Sequence, residues 1–449
     1  MTYLKNIIFV VSFIFSSLSA QPDSIFYQPE VDSLLNQVNP ANISQYIADL
    51  ANANGYSSRV TYTPGNLWSA DYIKQKFDAF PGLTTVEFDT FYILSAPFPW
   101  NVYPLVNVVA TLQGTGPANR YYVVGGHFDT SASLDPTINW STQWSTASAP
   151  GADDNATGVA TVLEIARILS DPANQFEPEV TIKFVVFGAE ERAPAAFDQN
   201  HRGSNHFATT AASQMDDILG VFNIDMIGYN NTGNHYYNIV SNSNSLELGD
   251  DLVQANQTYQ IGINSNSNPF VYATYSDHEQ FWQYGYKAIL LIENAPPWNN
   301  NPPWYNANPY YHKATDTPDK VNIDQVTKIT QATLAAVACR TMPVTSIAQN
   351  NSPENLPTAY TLQPNYPNPF NAHTVFNYVL NSAAQVKIGI YSATGQKVTD
   401  IQDAWQTAGE HRVNWRAADQ NGNALPSGLY FARFIFNHTV KTQKVMLIR

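Results

Sequence analysis

The sequence predicts an α/β domain followed by a small all-β domain. As far as about residue 345, helical stretches alternate with short runs of β-branched and aromatic residues bounded by Gly, Asn or Pro. Beyond residue 360, the pattern consists of short alternating strands separated by Gly-containing turns. A chain of 449 residues is also too long for one ordinary domain. We therefore expect a mixed, largely parallel central sheet flanked by helices, and after it an immunoglobulin-like β-sandwich.

The first twenty residues have the pattern of a secretory signal peptide. Lys5 precedes an apolar run from Ile7 to Phe15, and small residues follow as far as Ala20. This run is too short to span a bilayer comfortably, and no other segment of the sequence approaches the necessary length. We expect cleavage after Ala20, export from the cytoplasm and no stable insertion into a membrane.

Four apolar runs in the domain predicted over residues 21–345 are expected to be strands buried on both faces. They lie at residues 121–124, 180–187, 218–224 and 287–292. A helical pattern at residues 156–170 separates the first two runs, and another at 325–341 closes the domain. A strand, a helix and a strand in sequence indicate parallel strands joined by a crossover.

The composition excludes two classes of partner. Charged residues make up 13% of the chain, and the formal net charge of -14 leaves no basic excess to neutralise phosphates. We therefore expect no binding to nucleic acid or to anionic membrane surfaces. The single cysteine, Cys339, cannot form an internal disulfide and is expected to be a buried core residue.

Potential metal ligands cluster in five segments near the ends of predicted strands, at residues 125–129, 150–155, 188–191, 223–226 and 311–316. The carboxyl ends of parallel strands form the binding crevice of an open sheet, so these segments are expected to meet there. Two histidines and several carboxylates suit zinc or a similar divalent ion. Because Glu190 and Glu191 are successive residues of an extended segment, one can bind metal while the other acts as a base.

These segments together resemble the M28 family of zinc aminopeptidases. The motifs are the His127–Asp129 pair, GADDNATG from Gly151, the paired glutamates, NIDMIG from Asn223 and HKATDT from His312. Each motif alone is weak, but their combination is specific, and the likeness extends over most of residues 40–345. It implies a zinc-exopeptidase fold.

The resemblance implies two zinc ions per chain. Asp154 would bridge the two ions. His127 and Asp225 would complete one site, and Glu191 and His312 the other. The ions would share the nucleophilic water.

The resemblance also assigns two catalytic roles and a reaction. Glu190 would be the general base on the shared water, and Asp129 would orient the ligand His127. The substrates would be peptides with a free amino end, whose first peptide bond is hydrolysed. We expect the protein to act as a monomer.

Several residues have structural alternatives. His127 alone could be a satisfied core histidine, and the Asp153–Asp154 pair could cap the helix that follows. We expect Asp153 to cap that helix and Asp154 to bind metal. Asp277 and His278 are expected to be structural or to line the pocket, and His201, His206 and His235 to lie in loops.

Two other functions remain open at this stage. Glutaminyl cyclases share the fold and several motifs but use one zinc ion, and in them a tryptophan usually precedes the histidine equivalent to His312, where this chain has Tyr311. The GADDNATG motif also favours the two-metal enzymes. A catalytically inactive binding protein would usually lose ligands, whereas this chain has kept all of them.

The aromatic residues and two long loops bear on substrate preference. Trp282, Tyr310 and Tyr311, with the loop at residues 295–308, are candidates for an apolar pocket that takes the first side chain of the substrate. The loops at residues 131–149 and 193–201 depart from compact members of the family and flank the predicted metal site.

The C-terminal region resembles a secretion signal. Residues 346–360 have the composition of a linker, and residues 361–449 contain LQPNYPNPFN from Leu362 and a Ser427-Gly428-Leu429-Tyr430 run. This module resembles the type A sorting domain of the type IX secretion system in Bacteroidetes-like bacteria. The resemblance implies contact with that secretion machinery and a location outside the cell or on the outer-membrane surface of a Gram-negative bacterium. The alternative is an immunoglobulin-like module that binds polysaccharide or a partner surface.

Overall fold

The computed structural model describes residues 25–191, 200–231, 233–266, 274–293, 308–343, 360–381, 383–392, 397–420, 422–436 and 439–449. The chain divides into two compact units, Met1–Val344 and Thr345–Arg449. The predicted signal peptide, nearly all of the predicted linker and nearly all of the aromatic loop at 295–308 lie outside the described residues. The predicted domain boundaries therefore stay predictions. Among the helices that are described, none combines the length and the apolar character needed to cross a bilayer.

The first unit alternates helices and strands as predicted. In chain order they are α1 (Pro29–Leu35), α2 (Pro40–Asn52), α3 (Pro64–Asp78), β1 (Thr85–Phe91), β2 (Leu105–Leu112), β3 (Arg120–His127), α4 (Trp140–Gln143), α5 (Ala156–Ser170), β4 (Thr181–Phe187), α6 (Arg202–Gln214), β5 (Asp217–Ile224), β6 (Tyr236–Ser241), α7 (Leu246–Thr258), β7 (Asn264–Asn266), α8 (His278–Gln283), β8 (Ala288–Ile292) and α9 (Ile323–Thr341).

The strands form one mixed sheet with a parallel centre, which confirms the predicted fold class. Their order is β1-β2-β4-β3-β5-β8-β6-β7. The four central strands β4, β3, β5 and β8 run parallel, and they are the four predicted from apolar runs. The pairs β1 with β2, β2 with β4, and β6 with β8 are antiparallel. The parallel strands are buried almost throughout because helices cover both faces.

Helix α5 is the central helix of one layer. Every residue of α5 except Arg167 is buried, and the helix packs beside α2, α9 and strand β3. On the other face, Phe207 of α6 and Phe281 of α8 pack with Phe187 of β4. The sheet is thereby enclosed between two helical layers, which leaves the strand ends as the place where polar side chains can converge.

The start of α5 approaches the end of β5 very closely. A side chain at Gly158 would place its Cβ 2.4 Å from the carbonyl oxygen of Ile224, so only glycine fits there. Asn155 Oδ1 accepts a hydrogen bond from the Gly158 amide at 2.9 Å, and Asn155 Nδ2 donates to the Ile224 carbonyl at 2.8 Å. Asn155, rather than the predicted Asp153, therefore caps the helix and joins it to the sheet.

The second unit is an all-β sandwich, as predicted. It contains β9 (Tyr360–Leu362), β10 (His373–Leu380), β11 (Ala384–Ser392), β12 (Lys397–Gln406), β13 (Gly409–Arg416), β14 (Gly428–Phe436) and β15 (Thr439–Leu447). Two antiparallel sheets, β13-β10-β9 and β12-β11-β14-β15, enclose an apolar core with Phe376, Trp415 and Phe434 at its centre. Alternating buried and exposed residues along β10 have the period expected for such a strand.

Candidate metal centre

The predicted ligands converge at the carboxyl edge of the parallel strands. His127 is the last residue of β3, and Asp225 directly follows β5. Glu191 lies four residues beyond the end of β4, and Asp154 lies just before α5. His312 belongs to the loop that precedes α9. This is the crevice in which an open parallel sheet places its ligands.

One group of three ligands surrounds the ring of His127. Its Nε2 lies 3.4 Å from Asp154 Oδ1 and 3.3 Å from Asp225 Oδ1. The ligand atoms of these three residues all lie within 4.8 Å of one another, and all three side chains are buried. Two ligands bound to zinc at about 2.0–2.1 Å with a tetrahedral angle are about 3.3 Å apart, so these separations fit a zinc ion.

A second group forms around His312. Its Nε2 lies 3.2 Å from Asp154 Oδ2 and 2.7 Å from Glu191 Oε1. Glu191 Oε1 is buried and forms no hydrogen bond with any described residue, although it lies close to the ring of His312. A carboxylate oxygen and a ring nitrogen that face each other without a good hydrogen bond are arranged as two ligands of one cation would be.

Asp154 belongs to both groups. Its Oδ1 faces His127 and its Oδ2 faces His312, so its two oxygens point toward two different histidines. This is the arrangement that a bridging carboxylate requires. The five residues predicted as metal ligands from the resemblance are therefore brought together, in the predicted division into two groups.

The electrostatics of the centre favour bound cations. Burial raises the pKa of Glu191 to about 8, and burial also raises the pKa of Glu190 well above its usual range. Burial would lower the pKa of both histidines, but the neighbouring carboxylates raise it instead, chiefly Asp225 for His127 and Glu191 for His312. Several carboxyl groups held close together in a buried site repel one another, and divalent cations would relieve that repulsion.

Asp316 fixes the loop that carries the bridging ligand. Its Oδ1 accepts from the Asp153 amide and its Oδ2 from the Asp154 amide, each at 3.0 Å. Asp316 is the aspartate of the HKATDT motif, four residues after His312. One loop therefore supplies a ligand and also orients another ligand. The motif contains this residue, but the sequence alone did not indicate its role.

Arg59 is a second positioning residue that the sequence did not indicate. Its side chain is fully buried and donates to the carbonyl oxygens of Phe128 at 2.7 Å, Leu50 at 2.9 Å, Pro150 at 2.5 Å and Gly151 at 2.8 Å. It therefore ties the segment after β3 to the segment that leads to Asp154. Burial lowers the pKa of Arg59 to about 10, a change that nearby carboxylates oppose, so the group remains a cation beneath the centre at neutral pH.

Asp129 holds the two glutamates in place. Its Oδ1 accepts from the amide of Glu190 and its Oδ2 from the amide of Glu191, each at 3.0 Å. Thr61 Oγ1 also donates to Oδ2 at 3.0 Å. The ring nitrogen Nδ1 of His127 lies 3.2 Å from the Asp129 carbonyl oxygen and 3.7 Å from its carboxylate. Asp129 thus contacts His127 through its main chain and contacts both glutamates through its side chain.

Ser276 orients the ligand Asp225. Its hydroxyl donates to Asp225 Oδ2 at 2.7 Å and accepts from Asn223 Nδ2 at 2.8 Å, so Oδ1 is left facing His127. The next two residues, Asp277 and His278, are buried but do not line the cavity described below. This placement agrees with the structural role expected for them.

Asp153 contributes to a pair of buried acids instead of capping α5. Its Oδ1 accepts from the Gly228 amide at 2.7 Å, and its Oδ2 accepts from Asn308 Nδ2 at 2.7 Å. Burial raises the pKa of Asp153 to about 7 and the pKa of the adjacent Glu293 well above its usual range. The side chain of Asp153 turns toward these partners, which explains why Asn155 provides the cap.

A cavity of about 320 Å³ opens beside the ligands. Its walls include Met226, Leu290, Ile292 and Tyr311, and the loop at residues 131–149 contributes Leu134. Of the three aromatic residues predicted to line a pocket, Tyr311 does so. Trp282 packs behind the apolar wall, and Tyr310 packs against Tyr229 with ring centroids 5.9 Å apart.

Of the three histidines predicted to lie in loops, only His206 does not. His206 lies within α6, where its Nε2 is 2.9 Å from Asp89 Oδ1. His201 immediately precedes α6 and is buried. His235 precedes β6 as expected, and its Nε2 lies 2.7 Å from Asp324 Oδ2.

The fold and the clustered side chains define an α/β protein with a candidate site for divalent metal ions. The chain belongs to peptidase family M28, whose model matches residues 107–337, more than half of the chain. A second model, the FlgD Ig-like domain, matches residues 371–433 in the β-sandwich. The first family is a zinc-dependent one, and the two groups of ligands fit that metal.

Three known proteins are similar to parts of this chain. A probable zinc metalloprotease of Pyrenophora teres f. teres (strain 0-1) is 30% identical over 208 residues, which is 44% of this chain and 41% of that relative. The crystal structure of the Legionella pneumophila LapA aminopeptidase is 20% identical, with a TM-score of 0.55 over 76% of this chain and 81% of that one. The crystal structure of Macrostomum lignano glutaminyl cyclase is 19% identical, with a TM-score of 0.55 over 72% of this chain and 97% of that one. At these identities, the two structures establish the fold alone.

Proposed function

We propose that this chain is a secreted aminopeptidase that uses two zinc ions to hydrolyse the first peptide bond of peptides with a free amino end. One observation carries the proposal: Asp154 directs one carboxylate oxygen toward each of two histidine-carboxylate groups. A single-zinc cyclase needs only one such group. The complete set of ligands also argues against an inactive binding protein.

The residues of the chain divide the catalytic work. Zinc, when bound, lowers the pKa of water and polarises the carbonyl group of the scissile bond. Glu190 lies beside the ligands, with its Oε2 3.9 Å from His127 Nε2, and takes up the proton of the attacking water. The pKa of Glu190, raised by burial, suits a group that must also return this proton to the leaving amine.

The cavity favours a substrate with an apolar first residue. Met226, Leu290 and Ile292 are buried apolar residues that line the cavity. The buried carboxylates around Asp154 attract the positive charge of a free amino group. The substrate class is therefore peptides that begin with a residue such as leucine or methionine.

The C-terminal sandwich supports the proposed export. It has the antiparallel strands of an immunoglobulin-like module. The NYPNPFN run and the other features quoted above favour a sorting domain of the type IX secretion system. The protein would then act outside the cell or on the outer-membrane surface of a Gram-negative bacterium.

Metal content and leucine release test the central claim together. The purified protein is analysed for zinc, and leucine release from a leucyl chromogenic amide is measured with and without a chelator. We expect about two zinc ions per chain and activity that the chelator abolishes. Glu190→Gln should retain both ions and lose activity by roughly a thousandfold or more, because it removes the group that moves the proton.

The alternatives predict different results from the same preparations. One zinc ion per chain together with cyclisation of glutaminyl peptides would identify a glutaminyl cyclase. A protein that binds no zinc and releases no leucine would be a binding protein with a peptidase fold. Glu190→Gln with full activity would contradict the role proposed for Glu190.

A further inference from the structure

His201 lies against the proposed general base. Its Nε2 is 3.0 Å from Glu190 Oε1, and only 3% of the residue is exposed. The other oxygen of Glu190, Oε2, faces the ring of His127 at 3.9 Å. The two oxygens of Glu190 therefore have different neighbours, with His201 on one side and the metal ligands on the other.

Main-chain hydrogen bonds place His201 opposite Glu190. The amide of His201 donates to the Glu190 carbonyl at 2.8 Å, the amide of Arg202 to Ala189 at 2.8 Å, and the amide of Gly203 to Gly188 at 3.0 Å. The chain thus leaves this point after Glu190 and returns to it at His201. Because these hydrogen bonds do not involve the side chain of His201, a substitution there leaves the pairing intact.

The backbone of His201 has a costly conformation that it shares with residues at the centre. Its φ is 54°, and Ala189, Met226 and His312 have φ values of 54°, 51° and 52°. A left-handed conformation costs a residue other than glycine about 1–2 kcal/mol, and such residues cluster at functional sites. His201 adopts this conformation at the point where the chain returns to Glu190.

The surroundings of the ring hold it between polar groups. Its Nδ1 lies 3.7 Å from Glu279 Oε2. The side-chain amide of Asn200 lies 3.2 Å from Nε2, and it can accept from an Nε2–H only when its oxygen, rather than its nitrogen, faces the ring. A carboxylate can only accept a hydrogen bond, so an ionised Glu190 can form one with His201 only if Nε2 carries the proton.

We propose that His201 is a positioning residue for Glu190. Its Nε2–H donates to Glu190 Oε1 and fixes the rotation of the carboxylate, so that Oε2 is directed at the reacting water. The proposal rests on the function proposed above, because Glu190 needs orientation only if it moves a proton.

Steady-state kinetics on the full-length, zinc-loaded protein test the proposal. His201→Ala should lower kcat about 10- to 100-fold, the effect of losing a hydrogen bond to a charged group, with KM unchanged and zinc content retained. His201→Gln places an amide N–H where Nε2 was and should recover most of kcat. His206→Ala is the matched control, since His206 lies on the adjacent helix and contacts Asp89 instead of Glu190.

A measurement that needs no turnover separates this proposal from the proposed function. Nitrogen-15 spectra of histidine-labelled protein report which ring nitrogen carries the proton, and we expect an Nε2-protonated His201 whose shifts change in Glu190→Gln. If the wild-type protein releases no leucine but His201 is protonated at Nε2, the proposed function is wrong and the contact between His201 and Glu190 is still supported. The proposal is wrong if Nε2 is unprotonated, if His201→Ala keeps its kcat, or if His201→Gln is no better than His201→Ala.

Discussion

Replacing Arg59 by methionine should destabilise the catalytic unit, since the guanidinium is fully buried and satisfies four carbonyl oxygens. Each buried carbonyl that loses its donor costs about 1–3 kcal/mol. Removing the cation also removes its own desolvation cost, which offsets part of this loss. We therefore expect a net loss of about 3–5 kcal/mol, a large fraction of the stability of an ordinary domain.

The effect should concentrate in the two segments that Arg59 joins. Calorimetry of full-length Arg59→Met should lower the midpoint of the catalytic unit by on the order of 10 °C and leave that of the C-terminal sandwich unchanged. Amide hydrogen exchange should accelerate in peptides that contain Phe128 and Gly151. Arg59→Lys keeps the charge but not the planar fork of donors, so it should lose less stability than Arg59→Met but remain less stable than the wild type.

An exposed residue provides the control. Lys74 pairs with Asp78 at 2.8 Å on the surface of α3, and Lys74→Met should change stability by less than about 0.5 kcal/mol. The reasoning would be refuted if Arg59→Met unfolded within about 2 °C of the wild type, the change expected from a surface substitution, with unchanged exchange in both segments. Such a result would mean that water can replace the guanidinium at all four carbonyls.

Two further predictions concern the metal. Asp154→Asn replaces the carboxylate with a neutral amide, so it should weaken the binding of both ions by more than roughly tenfold. Asp225→Asn should weaken the binding of one ion. Titration calorimetry that finds equal losses in the two variants would contradict the bridging role. Metal-free protein should lose stability as the pH rises from about 5 to 8. The raised pKa values of Glu191, His127 and His312 all mean that the folded chain holds protons that the unfolded chain has released. Zinc displaces these protons, so the stability of the zinc-loaded protein, measured by thermal unfolding, should not fall over this pH range. An equal dependence of stability on pH with and without zinc would show that these residues do not bind zinc.

The sequence could predict the sheet and the clustering of potential ligands because both depend on local patterns. Four continuous apolar runs identified the parallel strands, and the potential ligands follow the strand ends at which an open sheet forms its crevice. The assignment of each ligand to one of two groups came from the resemblance. The side-chain distances around Asp154 agree with that division.

The supporting residues could not be predicted in the same way because their partners are distant in sequence. Arg59 bonds to carbonyls 69 and 92 residues away, and Ser276 bonds to Asp225 across 51 residues. Nothing in the residue types around Arg59 distinguishes it from a surface arginine. The cap of α5 shows the same limit, since Asp153, Asp154 and Asn155 are all good capping residues and only their tertiary partners decide among them.

The contacts of Arg59 and Thr61 imply that the functional unit begins well before the region that matches the family. That region starts at residue 107. Without the preceding segment, Asp129 would lose the hydroxyl of Thr61, and the carbonyls of Phe128, Pro150 and Gly151 would lose the guanidinium of Arg59. Phe128 lies between His127 and Asp129, and Pro150 and Gly151 belong to the segment that leads to Asp154. The helices before β1 therefore do more than cover the sheet, because the segment between α2 and α3 holds the two ligand-bearing loops at the separation that a shared carboxylate requires.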